Sequence, residues 1–353
     1  MINRTLFELL LFFAGAISVA LFMPAFIRLL KQRALGQAIR EEGLESHQVK
    51  AGTPTAGGLV FLGVFMIGVL LIACLGSGSW GTSAWWVVGV TAVMGLVGYI
   101  DDALKMSQQK NDGISGYVKL AAQIGLGVGI GTYLILSNQN PLGVTSVFGL
   151  WDIPLGWLFP LFCAVVMMAT SNAVNITDGA DGLAASTTII CLLGFYSVLV
   201  GGGMLGAPHL VAASGGNLYA FALLCLLMMG ALFGFLLFNK KPAQVFMGDT
   251  GSLALGGFVA AVALMSGLEW FILLFGLLFV VEALSVVLQV ASFKTTGKRI
   301  FKMSPIHHHF ELCHWSEQKI VWAFSLFQLT GVVLGIWLYL YGLGHGSGTM
   351  GVY

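Results

Sequence analysis

The stretch from residue 217 to residue 237, NLYAFALLCLLMMGALFGFLL, decides the fold because it contains no charged side chain. A helix needs about 20 consecutive apolar residues to cross the hydrocarbon core of a bilayer. Segments of similar composition recur along the chain, and together they predict about ten transmembrane helices: 6–29, 57–76, 84–103, 118–137, 155–173, 183–201, 217–237, 252–267, 269–292 and 319–342. We therefore expect an all-α integral membrane protein, with residues 1–353 forming a single polytopic membrane domain.

Composition supports the same class. Of the 353 residues, 58% are hydrophobic and only 9% are charged. A water-soluble domain usually carries about 25% charged residues, because its surface must face water. The net charge of +1, with few Lys and Arg and those in short loops, gives no reason to expect nucleic acid as a partner. The apolar N-terminal segment lacks a small-residue cleavage pattern, so we interpret it as a retained span.

The basic residues predict the orientation of the chain. Every Lys and Arg except Arg4 lies in or beside the five loops that follow the odd-numbered spans. Loops rich in Lys and Arg normally stay in the cytoplasm. We therefore expect these five loops to be cytoplasmic and both termini to be periplasmic. The opposite loops, with Asp152 and Glu269 among their few acids, look like connectors.

Five acids lie at loop–helix boundaries on the predicted cytoplasmic side: Asp101, Asp102, Asp178, Asp181 and Asp249. Carboxylates at one membrane depth repel each other unless a cation joins them. Mg²⁺ prefers such oxygen ligands and usually takes one or two carboxylates together with phosphate oxygens and water. The pattern therefore predicts a Mg²⁺ site for a diphosphate substrate. One carboxylate could bind the metal while another removes a proton.

Three other features have competing interpretations. The segment 175–182 resembles a calcium loop, but the positions where an EF-hand needs its last acid hold Ser186 or Ile189. The histidines His307, His308 and His309 form a poor metal site, because adjacent residues cannot all point at one ion, and phosphate contact or proton transfer is favoured instead. Glu282 lies inside the ninth span, where an acid is either functional or a hydrogen-bonding anchor between helices.

Five sequence blocks together resemble one enzyme family. They are Lys50-x-Gly-Thr-Pro-Thr-x-Gly-Gly, Asp101-Asp102-x-x-Lys105, Asn175-x-x-Asp178-Gly-x-Asp181-Gly, Phe246-Met-Gly-Asp249-Thr-Gly-Ser and Pro305-Ile-His-His-His309-Phe-Glu. In this order they look like the signatures of the phospho-N-acetylmuramoyl-pentapeptide-transferases, a branch of the polyprenyl-phosphate N-acetylhexosamine-1-phosphate transferases. The uninterrupted histidines followed by Phe-Glu are similar to the muramoyl-pentapeptide branch.

The resemblance implies a reaction and its partners. UDP-N-acetylmuramoyl-pentapeptide would meet undecaprenyl phosphate, release UMP and form the first lipid intermediate of peptidoglycan synthesis. The enzyme would be Mg²⁺-dependent and would lie in the bacterial inner membrane among its lipids, with the active site facing the cytoplasm. The sequence leaves open whether two copies form a homodimer.

The resemblance also implies roles for individual residues. Asp249 is similar to the family's Mg²⁺ ligand, with Asp178 as a second candidate, and Asp101 and Asp102 are similar to the pair that acts on the lipid phosphate. The diphosphate charge would be neutralised by Lys105, Lys119 and the catalytic histidines His307, His308 and His309. The other expected substrate-binding residues are Lys50, Thr55, Asn175, Asp178, Asp181, Asn239, Phe246 and Gln289.

Two rivals remain at this stage. One is a transferase that accepts UDP-N-acetylglucosamine instead of the muramoyl peptide. The other is a polytopic transporter, but transporters usually place their polar site near the membrane midplane, between repeats. Here the polar residues gather on one face and no repeat is visible.

Overall fold

The computed structural model describes residues 3–32, 53–75, 80–108, 113–205 and 217–345, and most of these residues are helical. The long helices are α1 (Arg4–Gln32), α2 (Gly58–Cys74), α3 (Thr82–Gln108), α4 (Gly116–Leu136), α5 (Phe159–Thr177), α6 (Leu183–Leu205), α7 (Leu218–Asn239), α8 (Gly248–Ser266), α10 (Leu277–Thr296) and α12 (Glu317–His345). Short helices α9 (Ile272–Phe275) and α11 (Ile306–Glu311) lie on either side of α10.

Nine of the helices in the described part of the chain are long and apolar enough to cross a membrane. The remaining long helix, α2, has 17 residues, the lower end of the spanning range. The expected all-α polytopic membrane protein is therefore confirmed, and each predicted span overlaps one of these helices.

Helix α8 forms the centre of the bundle. Every residue from Thr250 to Ser266 is buried, although the helix contains few large side chains. Small residues let its neighbours approach closely: a Cβ added to Gly98 of α3 would overlap the carbonyl of Asp249, and one added to Gly256 would lie 2.5 Å from Cα of Ser171 in α5. Contacts of this kind hold membrane helices together where hydrophobic burial gives little drive. The first turn of α8 is consequently fixed between α3 and α5.

The ninth predicted span, 269–292, is not one continuous helix. A 3-10 turn over residues 269–271 and the short helix α9 precede a break at Gly276, and α10 then continues to Thr296. Gln328 of α12, which is fully buried, accepts a hydrogen bond from Leu278 N at 2.8 Å and donates one to the carbonyl of Phe275. The break is tolerated because this one side chain satisfies both backbone groups.

A two-stranded hairpin, which the sequence did not predict, lies at the opposite end of α8 from Asp249. Strand β1 (Val144–Val147) pairs antiparallel with β2 (Trp151–Pro154). Thr145 donates a 2.5 Å hydrogen bond to the buried Glu269 and accepts one from Trp270 Nε1 at 2.7 Å. Burial raises the pKa of Glu269 to about 7, although the bond from Thr145 partly opposes the shift. Both expected connector loops therefore contain ordered structure.

Candidate active site

Asp102 caps the first turn of α8. Its Oδ1 accepts a hydrogen bond from Asp249 N at 3.0 Å, and its Oδ2 accepts bonds from Thr250 N at 2.9 Å and Thr250 Oγ1 at 2.6 Å. A carboxylate at this position satisfies free amide groups and complements the positive end of the helix dipole. Asp102 itself is only 3% exposed. Both of its oxygens are therefore engaged in holding Asp249 in place.

Gly248 makes this approach sterically feasible. Its φ is +74°, a conformation that side chains with a Cβ rarely adopt. A Cβ there would lie 2.5 Å from Asp102 Oδ2 and 2.9 Å from Thr55 Oγ1. The buried Thr55 hydroxyl thus lies close to the cap formed by Asp102. Phe246 connects the same two segments, because its N donates to Pro54 O at 2.8 Å and its O accepts from Gly57 N at 2.8 Å.

Two lysines join Asp101 to Asp249. Lys105 Nζ lies 2.6 Å from Asp101 Oδ2 and 3.1 Å from Asp249 Oδ2. Lys119 Nζ lies 3.1 Å from Asp101 Oδ1 and 2.6 Å from Asp249 Oδ2. With Asp102, the two acids form a group whose ligand oxygens all lie within 4.8 Å of one another. Like charges at this separation repel strongly, so the ammonium groups supply the balancing positive charge.

The acid–lysine cluster of Asp101, Asp102, Lys105, Lys119 and Asp249 is built by the three helices α3, α4 and α8, and α5 adds Asn175 beside it. Asp101, Asp102 and Lys105 lie in α3, which continues beyond the predicted end of its span to Gln108. The helix continues because Lys105, one turn after Asp101, pairs with it. Asn175, predicted in a loop, lies in the last turn of α5 and donates to Asp249 Oδ1 at 2.9 Å and to Ser252 Oγ at 2.8 Å. Asp178 follows at the C-terminal end of α5 and is half-buried.

Asp181 and Asn239 belong to a second polar network, which joins the loop 178–182 to the loop after α7 and to the start of α12. Asp181 Oδ2 accepts from Ala243 N at 3.1 Å, while Asp181 N donates to Glu317 Oε1 at 2.6 Å. Asn239, 2% exposed, accepts from Gly182 N at 3.1 Å and donates to Val245 O at 3.0 Å. These contacts fix the loop that precedes Asp249, so Asp181 and Asn239 hold backbone in this structure.

Glu317 was missed by sequence reasoning. Its Oε2 lies 2.5 Å from Lys241 Nζ, which links the start of α12 to the loop after α7. An acid in the first turn of a helix is common for electrostatic reasons alone. The sequence therefore offered no signal that distinguished Glu317 from an ordinary helix-start residue.

The three histidines have separate environments. His307 is fully buried, with Nδ1 3.1 Å from Glu282 Oε1, and its Nε2 faces Gly179, where a Cβ would overlap it. His308 Nδ1 lies 2.7 Å from Glu311 Oε2, and His309 Nδ1 accepts from Lys302 N at 3.1 Å. All three belong to the short helix α11 rather than to an open loop.

Glu282 is an anchor between α10 and α11, since its pairing with His307 joins the two helices. Of the two interpretations of Glu282, the hydrogen-bonding anchor describes this contact, and the partner, His307, is itself a predicted site residue. His307 in turn contacts the loop that contains Asp178. The pair therefore connects the histidine helix to the loop 178–182, although no direct contact joins His307 to the acid–lysine cluster among the described residues.

Gln289 holds the backbone of the segment between α10 and α11. Its Oε1 accepts from Ile300 N at 3.0 Å and Phe301 N at 2.9 Å, and its Nε2 donates to Phe301 O at 2.9 Å. Lys50, another of the expected substrate-binding residues, lies outside the described residues. The predicted residues thus fall into three groups: the acid–lysine cluster with its neighbours Thr55 and Asn175, the loop 178–182 with Asn239, and the segment around α11 with Gln289.

Comparison with known proteins defines the class first. The model of glycosyl transferase family 4 matches residues 84–267, the part of the chain that contains the acid–lysine cluster. Together with the helical bundle, this makes the protein a polytopic membrane member of that family.

The relatives are more specific. A phospho-N-acetylmuramoyl-pentapeptide-transferase of Enterococcus hirae is 42% identical, over 89% of this chain and 93% of its own length. Relatives of the same name from Shouchella clausii and Desulfitobacterium hafniense are 42% and 40% identical, each over 94% of this chain and 98% of theirs. The chain therefore belongs to the phospho-N-acetylmuramoyl-pentapeptide-transferase family.

Proposed function

We propose that this protein transfers phospho-N-acetylmuramoyl-pentapeptide from its UDP-linked form to undecaprenyl phosphate. An oxygen of the lipid phosphate bonds to the β-phosphorus of the nucleotide, and the bond to the bridging oxygen breaks. UMP leaves with that oxygen, and the undecaprenyl-pyrophosphoryl product keeps the sugar and the peptide. The names of the relatives and their identity over nearly the whole chain support this reaction.

The observation that carries the assignment of the site is the pairing of Lys105 and Lys119 with Asp249. A diphosphate between the helices would offer these ammonium groups oxygen partners of higher charge than a carboxylate. The lysines would then neutralise the α-phosphate as UMP leaves, and stabilisation of developing charge is usually a large part of catalysis.

Mg²⁺ fits the carboxylates that the lysines now hold. Asp249 and Asp101 offer hard oxygen ligands within 4.8 Å of each other, and their present partners are themselves cations. We assign Asp249 as a ligand, with Asp101 beside it and Asp178 as a further candidate. Asp249 and Asp101 would hold the ion there, and the ion would supply positive charge against the phosphate oxygens of the substrate. Because Asp102 uses both oxygens on the amides of α8, we assign it the role of orienting Asp249.

The remaining predicted residues stay proposals. Thr55, Phe246 and Gln289 are assigned to the uridine side with Lys50, and Phe246 could stack on uracil. His307, His308 and His309 are assigned to phosphate contact. Asn175 is assigned to positioning Asp249. Asp181 and Asn239 are assigned to holding the backbone of the loop that precedes Asp249. The lipid phosphate either attacks the nucleotide directly or attacks a phospho-sugar group first transferred to Asp249. Trapping a covalent intermediate distinguishes the two, because a phosphorylated Asp249 would exclude direct attack.

The proposed setting is the bacterial inner membrane, with the site and the Lys-rich loops in the cytoplasm and both termini in the periplasm. A water-soluble nucleotide needs cytoplasmic access, and the lipid acceptor needs access from the bilayer. Protease or thiol-labelling accessibility of each terminus in sealed vesicles tests this orientation. A homodimer is a further proposal, tested by the mass of the detergent-solubilised enzyme.

The decisive test of the reaction is UMP release from purified enzyme with undecaprenyl phosphate and each of two nucleotides. UDP-N-acetylmuramoyl-pentapeptide should release UMP, while UDP-N-acetylglucosamine should not. Release from the second alone would assign the chain to the sugar-only branch. Asp249→Asn should lose most activity across a Mg²⁺ titration, and near-normal turnover with an unchanged Mg²⁺ requirement would remove Asp249 from the metal site.

A further inference from the structure

The outer face of α10 changes from apolar to basic along its length. Leu284, Val287 and Leu288 are each at least 50% exposed, and Phe293, one turn after the buried Gln289, is 55% exposed where the helix ends. Three exposed cations follow: Lys294 in the last turn of α10, and Lys298 and Arg299 just beyond the helix. A helix face with this order crosses from hydrocarbon into the headgroup layer near residue 293. We call Lys294, Lys298 and Arg299 the basic turn.

The basic turn has a defined conformation. Gly297 ends α10 in the left-handed region, with φ +69°, and its N donates to Phe293 O at 3.0 Å. Ser292 Oγ donates to Lys298 O at 2.9 Å, which fixes the chain as it leaves the helix. Ile300, 54% exposed, follows the basic turn directly. Two large apolar side chains therefore flank three cations on an exposed, ordered segment.

The charge of the basic turn is not balanced locally. Residues 283–310 contain no Asp or Glu. Within the described parts of the chain, no carboxylate forms an ion pair with Lys294, Lys298 or Arg299. The C-terminal end of a helix dipole favours a nearby cation, but this effect falls off within the last turn and Lys298 and Arg299 lie beyond it. The remaining positive charge calls for an anionic partner in the headgroup layer.

We propose that the basic turn, with Phe293 and Ile300, is a binding site for the headgroup of an anionic bilayer phospholipid. The cations contact the phosphate and the two apolar side chains enter the upper acyl region. Basic residues at the end of a membrane helix attract anionic lipids in this way, with roughly a fivefold gain in affinity for each Lys or Arg.

The site adjoins residues that the reaction uses. Gln289 binds the backbone of Ile300 and Phe301, and the N of Lys302 donates to His309 Nδ1 at 3.1 Å. Lys302 Nζ also donates to Leu312 O at 2.9 Å. A lipid that holds Lys298 and Arg299 therefore restrains the segment between Gln289 and His309. Lipid binding itself does not depend on the proposed transferase reaction, and only this consequence for turnover does.

Native mass spectrometry of the full-length enzyme in detergent measures the binding. Phosphatidylglycerol and phosphatidylcholine are titrated separately into the wild type and into the triple variant Lys294→Gln/Lys298→Gln/Arg299→Gln. We expect the wild type to prefer phosphatidylglycerol, and the triple variant to lose affinity by on the order of 100-fold. The charge-conserving variant Lys294→Arg/Lys298→Arg/Arg299→Lys should bind as the wild type does. Its behaviour separates loss of charge from misfolding.

The matched control is Arg28→Gln/Lys31→Gln, which removes two exposed cations from the end of α1. It should leave the phosphatidylglycerol affinity within twofold of wild type. Equal loss in this control, or equal binding of the two lipids, would overturn a local site. Competition by a short polyprenyl phosphate would instead assign the basic turn to the acceptor and overturn the proposal. In phosphatidylcholine vesicles with added phosphatidylglycerol, the KM for the nucleotide should fall in the wild type and stay constant in the triple variant.

Discussion

Replacement of Asp102 by Asn tests whether this acid supports α8. The substitution keeps the size of the side chain but leaves one acceptor oxygen and introduces an NH₂ group. In either amide orientation the NH₂ group faces a donor of Asp249 or Thr250, so at least one buried donor loses its partner. An unsatisfied buried donor costs about 1–3 kcal/mol, and the remaining bonds weaken by about 1 kcal/mol each when the acceptor becomes neutral.

The sum is a destabilisation of about 4 kcal/mol. With an unfolding entropy of about 2.1 cal/mol/K per residue, a chain of 353 residues should melt about 5 °C lower. Differential scanning fluorimetry of the detergent-purified enzyme measures this shift. Asp101→Asn is the comparison variant: Asp101, which is 1% exposed, accepts one backbone hydrogen bond, from Ile114 N at 2.8 Å, and pairs with Lys105 and Lys119. Its carbonyl oxygen can keep the bond from Ile114 N, so Asp101→Asn should melt less far below wild type than Asp102→Asn does.

Activity alone does not separate the two acids, because loss of either disturbs Asp249. The melting temperature does. If Asp102→Asn melted with the wild type while losing all turnover, the role of Asp102 would be chemical, and the orienting role assigned here would be wrong.

Three further predictions follow from buried contacts. His307→Ala should destabilise the enzyme by about 3 kcal/mol, because it leaves Glu282 buried without its partner; His307→Ala/Glu282→Ala should recover at least 1 kcal/mol in thermal or denaturant unfolding, and additive losses would contradict the pairing. Gln328→Leu should cost about 2–4 kcal/mol by the same measurement, since it strands two buried backbone groups; an unchanged melting temperature would show that they have other partners. The pKa of Glu269, raised by burial to about 7, means that the folded state binds the extra proton, so its contribution to stability is complete below about pH 4.5 and is lost as the pH rises through 7. Melting scans from pH 5 to pH 8 should therefore slope less in Glu269→Gln than in the wild type, and equal slopes would exclude Glu269 as the source.

The spans were predictable because lipid demands long apolar runs, and that demand is local in sequence. The break at Gly276 could not be predicted, because glycines are frequent in these helices and few of them end a helix. Its cause is Gln328, fifty residues away from Leu278. The hairpin escaped prediction for a related reason: strands of four residues carry too little alternation to be recognised.

The acidic residues of the site were predictable as a group but not in their individual roles. Asp101 and Asp102 are adjacent and chemically identical in the sequence. Their positions on α3 point one at two lysines and the other at the amides of α8. That division depends on how two helices distant in sequence pack together, which no local pattern encodes. Asn239 stays a predicted substrate-binding residue, and its bond from Gly182 N, 57 residues away in sequence, could not be predicted from any local pattern.

The contact between Gln328 and the break before α10 also bears on how the chain is made. Synthesis proceeds from the N-terminus, so the segment around Phe275 and Leu278 leaves the ribosome before α12 exists. During that interval its free carbonyl and amide have no side chain of α12 to accept or donate. The nascent protein must delay the entry of this segment into lipid, or shield it, until the last helix arrives. For this chain, α12 must therefore be complete before the break that precedes α10 can take its final structure.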